Sequence, residues 1–351
     1  MPPISVGAAP QRSSAAVAQA APRITVDGVG PAGGGTGRGH AARLIFGLLL
    51  LVAVVTVVSH LGDARRFTEM LRRARPAWML LGVVLQVATY ACSGSIWWLV
   101  LRRMKSPLPL RALFVLSIGK LFTDQAAPSG GISGTTMMVR AVKRRGVPAS
   151  AADTAVIISL LGFYPAMIVA TLVSLPAFWE HHGATAVLLT LTAMLVVIAA
   201  AVGACLVALV RGGDSRVRRW LARWRSMREL LDSFAHVPRD VFRDRALLAS
   251  SFGLQFANVA LDAATLHVML AAVGEPIHVR SVFASFVFAS LAEMSGVAPG
   301  GLGTFEGTCV WLLRLSGVGL EPALSATLLL RGLTFWLPMI PGVGIVRREV
   351  G

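Results

Sequence analysis

Six ionisable residues interrupt stretches of the chain that are otherwise apolar. They are Lys120, Asp124, Asp262, Glu293, Glu306 and Arg331. If these stretches lie in a bilayer, a charge at its centre costs roughly 2.5–3.5 kcal/mol on insertion scales. Such residues therefore pair with each other, lose their charge or line a cavity filled with water. We take these six residues as candidates for a functional site within the membrane.

Spacing along the chain suggests partners for several of these charges. Lys120 and Asp124 are four residues apart on one helix face, which favours either a simple intrahelical ion pair or a functional pair. Arg331 stays ionised, so we expect it to pair with Glu293, Glu306 or a lipid phosphate, which arginine binds with two hydrogen bonds. Glu306 closely follows a Pro-Gly-Gly sequence, so it is also a candidate for capping a helix N-terminus.

A polar stripe surrounds one of the candidate residues. Gln255, Asn258, Asp262 and Thr265 recur at helical spacing, so they share one face of a helix. That face either packs against another helix through hydrogen bonds or lines a cavity. His267 lies on the same helix but off the stripe, which leaves a structural role and a proton relay as alternatives.

The sequence lacks the usual marks of catalysis. It contains no nucleophile–base pair, no CxxC or acidic metal-binding pattern and no glycine-rich nucleotide-binding loop. Cys92, Cys205 and Cys309 all lie in apolar stretches. We therefore expect no catalytic residues, no metal and no cofactor.

Composition indicates that lipid is the solvent of this chain. Hydrophobic residues make up 55% and charged residues 14%, whereas soluble domains carry about 25% charged residues. Residues 77–101, 154–179 and 183–210 contain no charge and reach the roughly 20 residues that cross a bilayer as a helix. The net charge of +16 comes from basic residues between apolar stretches, so it indicates membrane orientation and argues against a nucleic-acid partner. The sequence predicts an all-α, polytopic integral membrane protein of the cell membrane.

Eight apolar stretches make up a predicted membrane domain over residues 44–346. Residues 1–43 are rich in Pro, Gly, Ala and Ser, which predicts a disordered cytoplasmic tail. We interpret 44–60 as a first span, because no convincing cleavage motif for a signal peptide follows it. The eight stretches cover 44–60, 77–101, 112–139, 149–178, 184–210, 247–273, 281–314 and 321–346.

Loop charge predicts how these stretches cross the membrane. The basic loops 102–111 and 140–145 and the basic linker 211–246 belong in the cytoplasm, whereas 180–183 lacks Lys and Arg and belongs outside. Stretches 112–139 and 281–314 must then enter and leave on the same side. The sequence thus predicts six full spans, two opposed re-entrant broken helices and cytoplasmic termini. The breaks are predicted at Pro128, Gly130 and Gly131 and at Pro299, Gly300, Gly301 and Gly303.

One loop conflicts with this topology. Residues 61–76 hold five Arg and two acids, yet they fall outside the cell in the predicted arrangement. An amphipathic helix lying on the membrane surface would account for their pattern.

The two halves of the chain resemble each other, with repeat one over about 44–180 and repeat two over about 184–346. Residues 127–134 compare with 298–303, and each segment precedes a Gly-Val pair and a late proline, Pro165 or Pro338. Because the copies enter from opposite sides, we expect an inverted repeat, which is typical of transporter folds. The alternative is a common Pro-Gly-Gly turn that recurs by chance.

These residues also carry a family resemblance. Residues 299–306 (PGGLGTFE) and 331–338 (RGLTFWLP) resemble the hallmark of the lysylphosphatidylglycerol synthase transmembrane family, and the resemblance spans roughly 44–346. The first half departs from it, because Ser133, Gly134 and Thr135 stand where an acidic residue is expected. The resemblance implies lipid translocation between leaflets. It does not imply aminoacyl transfer, since no transferase domain follows residue 346 in this sequence.

The leading hypothesis is a protein that moves or binds an anionic or aminoacylated phospholipid. Its head group would sit between the two breaks, with Arg331 on the phosphate and Glu306 or Glu293 facing a cationic moiety or holding Arg331. The other candidate contacts of the head group are Lys120, Asp124 and Asp262. A second hypothesis is a non-catalytic membrane subunit that recruits a cytosolic synthase or glycosyltransferase through the linker 211–246. A third is a membrane enzyme acting on a polyprenyl or phospholipid substrate.

Overall fold

A computed structural model describes residues 75–126, 132–182, 190, 193, 197, 239–275, 277–294 and 303–350. The described residues form helices and the turns between them, with no strand among them. In chain order the helices are α1 (Pro76–Arg103), α2 (Leu110–Ala126), α3 (Ile132–Arg144), α4 (Ala149–His182), α5 (Arg245–Ala272), α6 (Val279–Met294), α7 (Thr304–Leu315), α8 (Leu320–Arg331) and α9 (Leu337–Val350).

Several predicted segments lie outside the described residues. They are the tail 1–43, the span 44–60, residues 61–74 of the basic loop, nearly all of the span 184–210, and most of the linker 211–246. Of the predicted break residues, Gly303 is described; Pro128, Gly130, Gly131, Pro299, Gly300 and Gly301 are not.

Three of the described helices are long and apolar enough to cross a membrane: α1, residues 149–177 of α4, and α5. The outward face of α1 is itself apolar, since Leu80 is 66% exposed and Val84 and Val87 are also exposed. An apolar exposed stripe at helical spacing suits contact with lipid rather than water. The prediction of an all-α membrane protein is confirmed.

Small residues allow α4 and α5 to approach closely. A Cβ added to Gly162 would come within 2.8 Å of the backbone of Ser251. The Ser251 hydroxyl donates a hydrogen bond to the carbonyl of Ile158 at 2.9 Å across the same contact. Close packing over small residues, with hydroxyl hydrogen bonds between helices, is the usual means of association in membranes.

Each predicted broken stretch consists of two helices. Stretch 112–139 is divided between α2 and α3, which end and begin on either side of residues 127–131. Stretch 281–314 is divided between α6 and α7 in the same way. The two helices of each pair pack against each other. Their return to one side of the membrane stays a prediction.

The two helix series match in length and in turn geometry. Helices α1 to α3 have 28, 17 and 13 residues, and α5 to α7 have 28, 16 and 12. Gly146 and Gly317 end α3 and α7 with φ of 84° and 93°, a conformation that favours glycine. After each glycine a valine N–H donates back into the helix, at 3.3 Å for Val147 and 3.1 Å for Val318. The repeated Gly-Val pairs of the sequence thus form equivalent turns.

The predicted last span, 321–346, is not one regular α-helix. Helix α8 ends at Arg331, Gly332–Trp336 form a π-helical turn, and α9 begins at Leu337. Pro338 follows the wide turn at once, and proline cannot make the hydrogen bond that a regular α-helix requires there. Widened turns of this kind often occur at functional sites.

Buried side chains form two apolar clusters. One surrounds Leu266, Met269 and Phe288, with contributions from α5, α6, α7 and α8. The other surrounds Leu101 and Leu113, with contributions from α1, α2, α3 and α4. Members of both clusters line the cavity described next.

Candidate functional site

A cavity of about 500 Å³ lies among α1, α2, α3, α4, α5 and α6. Trp97 and Val259, which belong to the two apolar clusters, contribute to its wall. Its charged lining residues are Lys120 from α2, Asp262 from α5 and Glu293 from α6. The volume falls within the roughly 300–1,000 Å³ of pockets that hold small ligands.

Polar stripes on α1 and α5 face each other at this cavity. Gln86 on α1 donates from its amide nitrogen to Asp262 Oδ1 at 2.9 Å and to Thr265 Oγ1 at 3.1 Å. Asn258 on α5 donates to the hydroxyl of Ser93 on α1 at 3.0 Å. The stripe predicted on α5 therefore does both of the things expected of it, because it packs two helices together and also lines the cavity.

Arg331 is the centre of a second charged group. Its Nε lies 2.8 Å from Glu306 Oε1, its Nη2 lies 3.2 Å from Glu293 Oε1, and its guanidinium carbon lies 4.2 Å from the ring centroid of Phe305. The Nε–H finds no acceptor in hydrogen-bonding geometry among the described residues, so the contact with Glu306 is a short ion pair rather than a directed hydrogen bond. The side chain of Arg331 is only 12% exposed.

Glu306 also caps α7. Its Oε2 accepts the backbone N–H of Gly303 at 2.7 Å, and Gly303 has a φ of 85° that favours glycine. The carboxylate thus satisfies a donor at the helix N-terminus and pairs with Arg331 on α8. Arg331 in turn joins the start of α7 to Glu293 near the end of α6.

Lys120 and Asp124 form the local ion pair that their spacing predicts, with Nζ 2.7 Å from Oδ2. Asp124 has a further role, because its Oδ1 accepts the backbone N–H of Gly134 at 2.7 Å near the start of α3. Ser133 adds a hydrogen bond from its hydroxyl to the carbonyl of Thr123 at 3.0 Å. Asp124 therefore fastens α3 to α2, as Glu306 fastens α7 to α8.

Residues 44–342 match the family described as the lysylphosphatidylglycerol synthase TM region. The chain belongs to this family. A relative described as a UPF0104 membrane protein, from Methanothermobacter thermautotrophicus (strain Delta H), is 23% identical over 323 residues. The match covers 87% of this chain and 94% of the relative. The resemblance carried by residues 299–306 and 331–338 is thus confirmed at the level of the family.

The structure places the predicted residues of this family member in two sets. Lys120, Asp262 and Glu293 line the cavity. Asp124, Glu306 and Arg331 are not among its lining residues; Asp124 contacts Lys120, and Arg331 contacts Glu293. The pairings predicted for Arg331 and Lys120 and the capping role of Glu306 are present, whereas contact with a head group stays a prediction for all six residues.

Sequence reasoning missed the polar face of α1. Gln86, Thr89 and Ser93 recur at spacings of three and four residues, which is the signal that revealed the stripe on α5. His267 has a buried Nδ1 without a hydrogen-bond partner in the described part of the chain, and it is not among the residues that line the cavity. Within the described ranges, no three His, Cys, Asp or Glu side chains cluster as metal ligands.

Proposed function

We propose that this protein moves an anionic or aminoacylated phospholipid between the two leaflets, with the lipid head group in the cavity. The observation that carries the proposal is a cavity of about 500 Å³ with Lys120, Asp262 and Glu293 in its wall, within a helical membrane domain. Ionisable groups at a cavity inside a membrane domain mark a path for a polar or charged molecule, because no such groups are needed against lipid tails.

The charged groups suggest how a head group would bind. Lys120 is the cation among the cavity residues that the structure describes, so it is our candidate for the phosphate. Asp262 and Glu293 would face a cationic moiety of the head group. Arg331 would act by holding Glu293 and Glu306 in place, since its guanidinium already contacts both carboxylates.

An inverted repeat would give this path its two openings. In this proposal α1 to α4 form one half of the repeat and α5 to α9 form the other. The pairs α2–α3 and α6–α7 are re-entrant. Six full spans then leave both termini in the cytoplasm. Matched helix lengths and the equivalent turns after Gly146 and Gly317 support it. So does loop charge, since Lys105 and three Arg residues lie in or beside the α1–α2 loop, whereas 273–278 carries no Lys or Arg. In such folds the site lies near the membrane midplane between the repeats.

The test is a leaflet-exchange assay in proteoliposomes. Fluorescent phosphatidylglycerol and its lysyl derivative are reconstituted with the protein, and dithionite then bleaches the lipid exposed on the outside. We expect rapid loss of the protected half, slowed at least tenfold by Lys120→Ala or Arg331→Ala. The control is Lys143→Ala, which removes a surface ion pair with Asp153 worth about 0–1 kcal/mol and should leave the rate unchanged.

Two outcomes would contradict the proposal. The fluorescent lipid could be protected from dithionite as well as it is in empty liposomes, with and without imposed ion gradients. This result would exclude lipid movement as the function. If Lys120→Ala and Lys143→Ala change the rate of leaflet exchange equally, the lipid does not move through the cavity. Formation of a new lipid product by the purified protein would instead favour a membrane enzyme.

A further inference from the structure

Asp262 has no positive partner in the part of the chain that the structure describes. Its Oδ1 accepts hydrogen bonds from neutral groups, the amide of Gln86 at 2.9 Å and the hydroxyl of Thr89 at 3.4 Å. The nearby cations are engaged elsewhere, because Lys120 pairs with Asp124 and Arg331 pairs with two glutamates. A carboxylate inside a membrane protein pairs with a positive charge, loses its own charge or lines a cavity filled with water, and Asp262 has no cation to pair with among the described residues.

A second acceptor beside Asp262 is also unsatisfied. Asn258 lies one helical turn before Asp262 on α5, and both side chains line the cavity. Its Oδ1 is buried and accepts no hydrogen bond from the described residues, while its Nδ2 donates to Ser93. Buried polar atoms are nearly always partnered, so an orphaned oxygen on a residue that lines the cavity indicates that a donor or a cation binds there.

The electrostatic balance around the cavity points to a cation. The charged residues of the cavity wall and their ion-pair partners include two cations, Lys120 and Arg331. They also include four acids, namely Asp124, Asp262, Glu293 and Glu306. If all are ionised, two negative charges remain in excess, one in the group of Arg331 with Glu293 and Glu306 and one at Asp262. A neutral hydrogen-bond donor would satisfy Asn258 but would leave this excess in a region of low dielectric constant.

The donor set indicates which cation fits. The atoms available at this wall are all oxygens, from one carboxylate, one amide and the hydroxyls of Ser93 and Thr89. Oxygen donors select hard cations such as sodium, magnesium or calcium. Divalent cations are usually held by more than one carboxylate, whereas a single carboxylate with neutral oxygens balances one positive charge.

We propose that Asp262 and Asn258 on α5, with Ser93 and Thr89 on α1, form a binding site for a sodium ion at the cavity wall. Bound sodium neutralises Asp262 and draws the facing stripes of α1 and α5 together. This site does not depend on lipid movement. Where the proposed function also holds, the ion lies in the same cavity as the head group and takes Asp262, which leaves Glu293 to face the cationic moiety. A sodium gradient would then supply the driving force.

The test measures thermal unfolding of the full-length protein in detergent by intrinsic fluorescence. Sodium chloride is exchanged for choline chloride at constant ionic strength, with potassium chloride as a selectivity control. We expect the Tm to rise by about 2 to 4 °C for each tenfold increase in sodium above its dissociation constant, with little change in choline. Asp262→Asn and Asn258→Leu should abolish the sodium dependence, and Asp153→Asn, which removes an acid that pairs with Lys143 and does not line the cavity, should retain it.

Several results would overturn the inference. A Tm that responds equally to sodium and choline chloride would mean that ionic strength alone acts. Sodium dependence that persists in both α5 variants would place the ion elsewhere. A Tm that rises on acidification but not with sodium would mean that a proton neutralises Asp262. If Asp262→Asn fails to fold, Asn258→Leu and Ser93→Ala decide the outcome.

The inference and the proposed function fail in different ways. Sodium-dependent stability without leaflet exchange would contradict the lipid proposal and leave the ion site intact. Leaflet exchange at full rate in choline chloride, with no sodium-dependent Tm, would contradict the ion site and leave the lipid proposal intact.

Discussion

Glu306 and Arg331 connect two helices that a short turn separates in the sequence. Oε1 of Glu306 lies 2.8 Å from Nε of Arg331, while Oε2 accepts the N–H of Gly303 at the start of α7. One carboxylate therefore completes a helix cap and neutralises part of a nearly buried guanidinium. Arg331 extends the connection to Glu293 on the cavity wall, so a chain of ion pairs joins the start of α7 to the cavity wall.

We expect Arg331→Ala to be strongly destabilising. It leaves two acids without their cation, and breaking a buried pair in this way costs about 3–5 kcal/mol. Glu306→Gln should cost less, because glutamine still offers an oxygen to the N–H of Gly303. Thermal unfolding in detergent measures both effects, with Glu275→Gln as a control at an exposed position.

The double variant Arg331→Ala, Glu306→Gln distinguishes pairing from independent roles. We expect its loss of stability to fall below the sum of the single losses by about 0.5–3 kcal/mol, since contacting residues are coupled. Strictly additive losses would argue that the two side chains do not stabilise each other.

Gly134→Ala should separate α3 from α2. A Cβ at this position would collide with the Lys120 carbonyl and with the Asp124 carboxylate that caps α3. Forcing extra atoms into such a contact costs about 1–3 kcal/mol, so the Tm should fall and leaflet exchange should slow. Gly253→Ala is the matched control, because a Cβ there meets nothing within 4 Å and alanine favours a helix. Equal effects of the two substitutions would contradict the tight contact.

Lys120→Ala should alter which lipids move. If Lys120 binds the phosphate of an anionic head group, its loss removes an interaction of about 1.5–3 kcal/mol, or roughly tenfold to a hundredfold in rate. Lipids in which a fixed cation balances the phosphate should be less affected. The measurement compares leaflet exchange of phosphatidylglycerol and phosphatidylcholine, with Lys120→Arg as a variant that retains charge. A uniform slowing of both lipids would assign Lys120 a structural role only.

The inverted repeat predicts that corresponding loops of the two halves lie on opposite sides of the membrane. Single cysteines at Lys105 and Arg145, in a variant lacking native cysteines, should be protected from a membrane-impermeant thiol reagent in intact cells. Cysteines at Glu275 and Gly319 should react, because their loops occupy the other side. All four positions are exposed in the structure. Reaction of all four on one side would rule out opposed re-entrant pairs.

Local patterns in the sequence predicted the features that depend on near neighbours. Long apolar runs indicated α1, α4 and α5, because a backbone in lipid must form its own hydrogen bonds. The pairing of Lys120 with Asp124 and the capping role of Glu306 were also predictable. Each involves residues within one helical turn of each other, so spacing along the chain fixes their distance.

Tertiary structure decided which distant residues meet. Gln86 reaches Asp262 across 176 residues of sequence, and Arg331 reaches Glu293 across 38. The polar spacing on α1 and α5 determined one face for each helix. It could not determine that the faces oppose each other, because helix rotation and approach depend on packing elsewhere, such as Gly162 against Ser251. The cavity and the unpaired oxygen of Asn258 arise only from the assembled bundle, since each depends on several helices rather than on residue order alone.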